Sequence, residues 1–435
     1  MALLSLFLSS SNSIDMPKWP KAYKLQGTWS IPYQKIVEPF TVYVDNAKQR
    51  WAEIAYSGVS RNVYFVNDKT YNMQPKFDHM TCMYKKGPTE VLQYLPTDYE
   101  NYQYAGVTVV LGRKCHMWEK KVEMPVNQWF YRVYCDYETL EPVRLWNHGA
   151  SIRGSHPADY YFDVFDFGPV VDEAPFIIPT GCVGGNSSGP TLRQSKMNTN
   201  YCPTKHIDFK GDLPESFSWR NLPNVVAMPR DQANCGSCWA QAAATSISSQ
   251  ISMRTNKTTK VSVQQIVDCT WNDHNFACFD GFTDAAFRVM QQKQMKLVLE
   301  DDYPYIGLGG YCPTNNHSMN VIVKDCWQVE PKDVEQLKRA LYLYGPVAVA
   351  IATDSSFAKY QGPGVFPGKS ATLDDLTHAV TLTGWGVAKD GTKYWEIQNS
   401  WSDFWGIDGY GLINQDFDHD IGITLDAFVP VIEVV

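Results

Sequence analysis

Two cysteines in the middle of the chain are the first residues whose type and spacing could do chemistry. They lie in Asp231-Gln-Ala-Asn-Cys-Gly-Ser-Cys-Trp239, and Cys238 opens a stretch with few helix breakers that runs to Arg254. We therefore expect a helix that begins near Cys238. A helix N-terminus lowers the pKa of a thiol, because its dipole and free N–H groups stabilise the thiolate. Gln232 and the backbone N–H of Cys238 are candidate donors to an oxyanion.

The Cys-x-x-Cys spacing of Cys235 and Cys238 is not specific to a nucleophile. It is also typical of a redox-active pair and of half a zinc site. The segment alone leaves a protease and those two alternatives equally open. The sequence holds no second Cys-x-x-Cys, so we predict no metal site.

Two segments far downstream decide between these alternatives. They are Thr377-His-Ala-Val380 and Tyr394-Trp-Glu-Ile-Gln-Asn-Ser-Trp-Ser-Asp-Phe-Trp-Gly-Ile-Asp-Gly-Tyr410. Together with Cys-Gly-Ser-Cys-Trp, they resemble the active-site segments of the papain-like cysteine peptidases, in particular the cathepsin L-like family. The order agrees with that family, since His378 follows Cys238 by 140 residues and Asn399 follows it by 161.

The resemblance implies a role for each residue of these segments. The roles are Cys238 as nucleophile, His378 as its general acid/base, Asn399 as the orienter of His378, Gln232 as oxyanion donor and Trp401 as a shield over the His378–Asn399 hydrogen bond. The implied activity is endopeptidase cleavage of protein or peptide substrates through a thioester on Cys238, by an enzyme made as a zymogen. No cofactor is implied.

The resemblance implies substrate binding at Trp401 and in the segment that follows Cys278. Gly281 and Phe282 follow Cys278-Phe-Asp, where only one of the family's usual paired glycines remains. The motif after Ile421 places Asp426 at the floor of the pocket for the second substrate residue before the cut. We hypothesise that Asp426 lets this pocket accept Arg as well as Phe or Leu, through a charge-assisted hydrogen bond. An exposed surface acid is an equally open alternative.

The cysteine count suggests a disulfide-bonded protein with a free thiol. A nucleophile and five bridges would account for all 11 cysteines. The resemblance implies two of the pairs, Cys235–Cys278 and Cys269–Cys312. It offers no partner for Cys326, which we expect to bind Cys202 or another N-terminal cysteine.

The chain of 435 residues exceeds a single compact core, so several regions are expected. Residues 15–172 are β-rich, with strand-like runs at Phe40-Thr-Val-Tyr-Val, Val107-Thr-Val-Val-Leu and Trp129-Phe-Tyr-Arg-Val-Tyr, and with turn signals that include Asn147-His-Gly. Residues 173–212 are a linker and processing region. Residues 213–435 form the papain-like part. The predicted fold class is α+β: a two-lobed catalytic domain, with a helical lobe and a β-barrel lobe, preceded by an antiparallel β-rich domain.

The β-rich region does not match the helical inhibitory prosegment of cathepsin L. It resembles the extended N-terminal region of some long-prosegment cathepsin-like proteins. A removable prosegment, a retained domain that limits substrate access and a binding module are its candidate roles, and we favour the first two jointly. The region is thus a candidate inhibitor of its own protease. A secreted binding or signalling protein with low turnover is the alternative function. A thiol-disulfide oxidoreductase would leave the His and Asn segments unexplained.

Several features indicate the secretory route. Residues 1–14 are expected to be a signal peptide, and glycosylation sequons begin at Asn186, Asn256 and Asn316. A lysosomal, endosomal or extracellular location is therefore predicted. The net charge of −8 comes without a Lys/Arg block, which argues against nucleic acid as a partner. No later segment is apolar enough to predict a membrane span.

Overall fold

A computed structural model describes residues 14–124, 128–151, 156–170, 172–184, 202–313 and 318–435. Within these residues the chain forms a large N-terminal sheet followed by a mixed α+β part. We call the first the N-terminal sheet and residues 202–435 the C-terminal half. No helix of the described ranges has the length and apolar character needed to cross a membrane.

The N-terminal sheet is two consecutive antiparallel meanders joined by their first and last strands. Its strands are β1 (Ala22–Ile31), β2 (Ile36–Asp45), β3 (Arg50–Ala55), β4 (Ser60–Phe65), β5 (Lys69–Lys76), β6 (His79–Lys86), β7 (Gln103–Val110), β8 (Arg113–Glu123), β9 (Gln128–Asp136), β10 (Pro142–Ala150), β11 (Pro157–Gly168) and β12 (Val183–Gly184). The strand order is β12-β6-β5-β4-β3-β2-β1-β11-β10-β9-β8-β7, and β12 pairs with β6 in parallel. The three strand-like runs of the sequence lie in β2, β7 and β9, except that Leu111 falls in the turn after β7.

The prediction of a turn at Asn147-His-Gly is wrong. These residues lie inside β10, where Asn147 is opposite Tyr160 and Gly149 is opposite Ala158. A Cβ on Gly149 would lie 2.9 Å from the Trp129 side chain. Gly149 therefore serves close packing within the sheet, which local sequence does not distinguish from a turn.

The C-terminal half packs helices against a second sheet. Its helices are α1 (Cys238–Thr255), α2 (Val263–Cys269), α3 (Thr283–Gln292), α4 (Val334–Tyr344) and α5 (Ser355–Ala358). Its strands are β13 (Thr204–Lys205), β14 (Phe217–Ser218), β15 (Lys296–Val298), β16 (Ser318–Val329), β17 (Val347–Ile351), β18 (His378–Val387), β19 (Lys393–Gln398), β20 (Tyr410–Asn414) and β21 (Ala427–Val434). The main strand order is β13-β16-β21-β17-β18-β19-β20, with β14 beside β18 and β15 beside β16.

Helix α1 is the central element of this half, and it begins at Cys238 as the sequence predicts. Its residues from Trp239 to Ser252 are all buried. Ala and Ser side chains allow neighbours to approach from every side, and several of the buried hydroxyls have partners. Ser246 donates to the Pro346 carbonyl, and Ser248 accepts from the Val261 N–H. A helix packed in this way holds its N-terminus in a fixed position.

The two parts share one apolar core. Trp29, Tyr160 and Phe162 of the N-terminal sheet belong to the same buried cluster as Ala233 and Leu308 of the C-terminal half. The sheet is therefore packed against the C-terminal half, close to the segment that leads into α1.

Four disulfides are present: Cys82–Cys182, Cys202–Cys326, Cys235–Cys278 and Cys269–Cys312. The five bridges that the cysteine count allows are not all formed, because Cys115 and Cys135 are both free and buried. Cys115 is opposite Asp136 and Cys135 is opposite His116 in the β8–β9 register. Residues offset in this way project from opposite faces of a sheet, so the two thiols cannot meet.

Candidate active site

Cys238 lies at the first position of α1 and keeps a free, half-buried thiol. The loop before it is fixed by the Cys235–Cys278 disulfide and by a 2.9 Å hydrogen bond from the Gly236 N–H to the Cys278 carbonyl. A Cβ on Gly236 would lie 2.7 Å from that carbonyl oxygen, so glycine is required. Because Cys235 is bonded to Cys278, it is not paired with Cys238 as a redox centre.

His378 begins β18 and is held in place by Asn399 and Trp401. Its Nε2 lies 2.8 Å from Asn399 Oδ1, and its ring stacks on the Trp401 indole with centroids 4.6 Å apart. Asn399 Oδ1 also accepts the Ser400 N–H, so it acts as an acceptor toward His378. Nε2 therefore carries the proton, and Nδ1 of the neutral ring is left as an acceptor.

Gln232 is fixed at both polar atoms of its amide. Its Nε2 donates to the Cys235 carbonyl at 3.1 Å, and its Oε1 accepts from the Ser400 hydroxyl at 2.7 Å. An amide nitrogen carries two N–H groups, so one remains available as a donor. Ser400 was not singled out from sequence, although it stands inside the Asn-Ser-Trp segment that marks Asn399.

Burial favours the neutral forms of both Cys238 and His378. It raises the pKa of Cys238 to about 11, against a backbone hydrogen bond with Ala379. It lowers the pKa of His378 to about 4, against the hydrogen bond to Asn399. Burial therefore acts against the lowering of the Cys238 pKa that is expected from the helix N-terminus.

Cys238 and His378 both line a cleft of about 170 Å³ between α1 and the second sheet. The other predicted substrate-binding residues Gly281, Phe282 and Asp426 line it too, whereas Trp401 does not. A Cβ on Gly281 would lie 2.4 Å from the Trp239 indole, so this position requires glycine. Asp426 is 4% exposed and lies 3.5 Å from Gln328 Nε2, so the alternative of an exposed surface acid is wrong.

The N-terminal sheet also contributes to this site, which sequence reasoning missed. Asp231 accepts a 2.6 Å hydrogen bond from the Tyr33 hydroxyl and lies 3.2 Å from His156 Nε2. The His156 ring meets the Trp401 indole edge-on, with centroids 5.5 Å apart. Burial raises the pKa of Asp231 to about 6 and lowers the pKa of His156 to about 3. No motif around His156 marks this contact, because it depends on how the two parts dock.

Two further sets of predictions concern modification and metal binding. Asn256 is exposed just after α1, while Asn186 and Asn316 lie outside the described residues. Within the described ranges no three His, Cys, Asp or Glu side chains come together in a group that could hold a metal ion.

Comparison with known proteins identifies the class of protein to which this chain belongs. The family model of the papain family cysteine proteases matches residues 213–431. Mouse cathepsin K is 32% identical over 243 residues, which is 55% of this chain and 70% of that protein. A cathepsin L-like proteinase of Phaedon cochleariae is 34% identical over 222 residues, 51% of this chain and 67% of the relative. The solved digestive procathepsin L 3 of Tenebrio molitor larval midgut is 29% identical, with a TM-score of 0.49 and coverage of 54% of this chain and 74% of that one.

The chain belongs to the papain family of cysteine proteases. It is a cysteine endopeptidase made as a zymogen, of the lysosomal or secreted kind. The four disulfides fit such an oxidising route. The C-terminal half has the papain-like α+β fold.

Proposed function

We propose that Cys238 is the nucleophile of this endopeptidase, with His378 as acid/base, Asn399 as the orienter of His378 and Gln232 as an oxyanion donor. The observation that carries the proposal is the 2.8 Å hydrogen bond between His378 and Asn399, at a cleft whose other wall begins with the free thiol of Cys238. This arrangement leaves His378 Nδ1 as the acceptor for the thiol proton.

The proposed reaction proceeds through a thioester. His378 Nδ1 takes the Cys238 proton, and the sulfur attacks the scissile carbonyl carbon. Gln232 and the Cys238 backbone N–H donate to the oxyanion. The C–N bond then breaks as His378 gives its proton to the leaving amine. Water attacks the thioester with His378 as base, and the C–S bond breaks to release the acid and regenerate the thiol.

For substrate choice, we propose that Asp426 lets the pocket accept Arg, as well as Phe or Leu, as the second residue before the cut. Its burial at a cleft also lined by Leu376 and Phe428 supports this, because a desolvated carboxylate binds a guanidinium strongly. Asp426→Ala should lower cleavage of peptides with Arg at this position about tenfold or more, as loss of a charged hydrogen bond implies. Peptides with Phe there serve as the internal control, and an unchanged Arg-to-Phe ratio of kcat/KM would contradict the proposal.

For the zymogen, we propose that the N-terminal region restricts access to the cleft until the chain is cut within residues 173–212. Contacts of Tyr33 and His156 with Asp231, next to Gln232, support a role of the sheet at the site. Activity measured before and after cleavage in this region tests the proposal. Equal activity of the intact and cut chains would contradict it.

The test of the catalytic assignment is hydrolysis of fluorogenic dipeptide substrates at acid pH by the processed protein. Cys238→Ala should abolish turnover, whereas Cys115→Ala, which removes a buried free thiol of the sheet, should retain it. Stoichiometric labelling of Cys238 by a peptidyl alkylator without turnover would instead indicate a binding protein on a protease scaffold.

A further inference from the structure

A cavity of about 1030 Å³ lies where the N-terminal sheet faces the C-terminal half. Strands β3, β4 and β5 form one wall, together with the connection after β6. The opposite wall includes Asn234, Cys278, Phe279, Leu308 and Gly309. The cavity is therefore built jointly by the sheet and by the segments on either side of the Cys235–Cys278 disulfide.

The sheet wall is polar where a covered sheet face is normally apolar. The strand register places Trp51 opposite Tyr64, and Asn62 opposite both Glu53 and Asn72, so these side chains share one face. Glu53, Asn72 and Gln74 are at most 9% exposed, yet they line the cavity. Buried polar groups reduce stability unless they are hydrogen-bonded, so a group of this wall that lacks a partner needs a reason other than stability.

One buried hydrogen-bond acceptor of this wall has no partner among the described residues. Asn72 Nδ2 donates to Asn62 Oδ1 at 2.6 Å, and Gln74 Nε2 donates to the Phe276 carbonyl at 2.9 Å. Asn72 Oδ1 is buried and has no hydrogen-bond partner among the described residues. An unsatisfied buried acceptor is rare in native proteins. An N–H group that entered between the two asparagine amides would supply the missing partner.

The cavity adjoins the catalytic cleft along one short segment. Cys278 and Phe279 line the cavity, and the next residues, Asp280 and Gly281, line the cleft. Lys85 of β6 stands at the junction, with Nζ 4.8 Å from the Phe279 ring centroid. Two residues of extended chain span about 7 Å. A substrate backbone that lies against Gly281 can therefore reach the cavity within a few residues.

We propose that this cavity binds the extended part of a peptide substrate on the acyl side of the scissile bond, which makes the N-terminal sheet a substrate-recognition element. The inference rests on the proposed function. A peptide backbone presents alternating donors and acceptors, and Asn and Gln side chains both donate and accept. A short substrate that occupies only the cleft would not reach these amides.

This role requires the sheet to stay docked after processing, and the contacts between the two parts favour that. Gln74 Nε2 donates directly to the Phe276 carbonyl of the C-terminal half, and Tyr33 and His156 both contact Asp231. Leu308 is buried within the core of the sheet.

The test compares the cleavage of two substrates by the processed protein, made from the full chain without removal of the N-terminal sheet. One is an acetylated dipeptide, and the other is a hexapeptide with the same last two residues before the same fluorogenic group. Wild type should cleave the hexapeptide with at least a tenfold higher kcat/KM. Asn62→Leu with Asn72→Leu removes both amides together, so neither is left without its partner. This double variant should lower the hexapeptide-to-dipeptide ratio about tenfold, through KM, which corresponds to about 1.4 kcal/mol.

The matched control is Lys69→Ala, since Lys69 lies on β5 but does not line the cavity. It should keep the wild-type ratio. A double variant with an unchanged ratio would overturn the inference, as would binding of a neutral oligosaccharide probe at these amides without any effect of peptide length. Loss of the sheet on processing while the length preference persists would overturn it too. If wild type fails to cleave even the dipeptide, the proposed function fails instead.

Discussion

The Gln232 amide shows how a single side chain is prepared for its role. Ser400 binds its oxygen, and the Cys235 carbonyl binds one of its N–H groups. An oxyanion donor works best when it is already oriented, because no reorganisation is then needed during the reaction. Ser400 is accordingly a positioning residue, since it acts through Gln232.

Gln232→Ala should lower kcat about 10²- to 10³-fold, the effect of removing one oxyanion donor. Steady-state kinetics with a dipeptide substrate measures this, and KM should change little because the lost contact belongs to the transition state. Gln232→Glu, which keeps the shape but removes the N–H donors, is the matched variant. A Gln232→Ala enzyme with wild-type kcat would exclude Gln232 from the oxyanion site.

For individual side chains, sequence identifies the site residues that stand in long motifs. Cys238 and His378 line one cleft, and Asn399 is hydrogen-bonded to His378; these residues could be singled out because each motif is local in the chain, and their catalytic roles are the proposal made above. His156 could not be predicted, since its contact with Asp231 joins residues 75 positions apart. Its role follows from docking, not from neighbours in sequence.

The contact between the start of β11 and the segment before α1 brings together two groups whose pKa values are shifted in opposite directions. His156 is held neutral by burial, with a pKa of about 3, and Asp231 has its pKa raised to about 6. Between the unfolded and folded pKa values, His156 binds fewer protons in the folded state, so its contribution to stability falls as pH falls below about 6.5. Asp231 binds more protons when folded between about 3.8 and 6, so its contribution rises as pH falls.

Removing His156 and removing Asp231 should therefore change the pH dependence of stability in opposite directions. His156→Phe should narrow the difference in urea midpoint between pH 7 and pH 4.5, and Asp231→Asn should widen it, each relative to wild type. Urea unfolding followed by tryptophan fluorescence at the two pH values measures both. Shifts of the same sign in the two variants would contradict the assignment of opposed titrations.

Elements with strong local sequence signals lie where they were predicted, whereas the pairing of distant segments could not be predicted. Helix α1 begins where sequence places it, at Cys238. The turn expected at Asn147-His-Gly failed because Gly149 is required by packing on Trp129. The pairing of β1 with β11 joins distant segments, and no local pattern specifies it.

The four disulfides of the molecule fall into two groups, one in the N-terminal part and one in the C-terminal half. Cys82–Cys182 closes within the N-terminal part and Cys202–Cys326 closes within the C-terminal half. All 11 cysteines lie within the described residues, and none of the four disulfides joins the chain before residue 185 to the chain after residue 201. The two parts are therefore held together across that segment by the main chain and by their packed interface.

Cleavage within residues 185–201 should give two fragments that separate on a non-reducing denaturing gel but co-elute in native size-exclusion chromatography. The shared core that contains Ala233 and Leu308 keeps them associated. Tyr33→Phe with His156→Phe weakens the docking and is the comparison variant. Co-migration of the fragments on the non-reducing gel would contradict the disulfide pattern, and separate native elution would contradict the docked interface.

The most direct test of the account is the site of covalent labelling by a peptidyl epoxide in the processed protein. Three thiols are free: Cys115 and Cys135, which are buried in the sheet, and Cys238, which lines the cleft. We expect one label per molecule, located on Cys238 by peptide mapping, with labelling and turnover lost together in Cys238→Ala. Labelling that persists in Cys238→Ala, or that depends on Cys235, would contradict it.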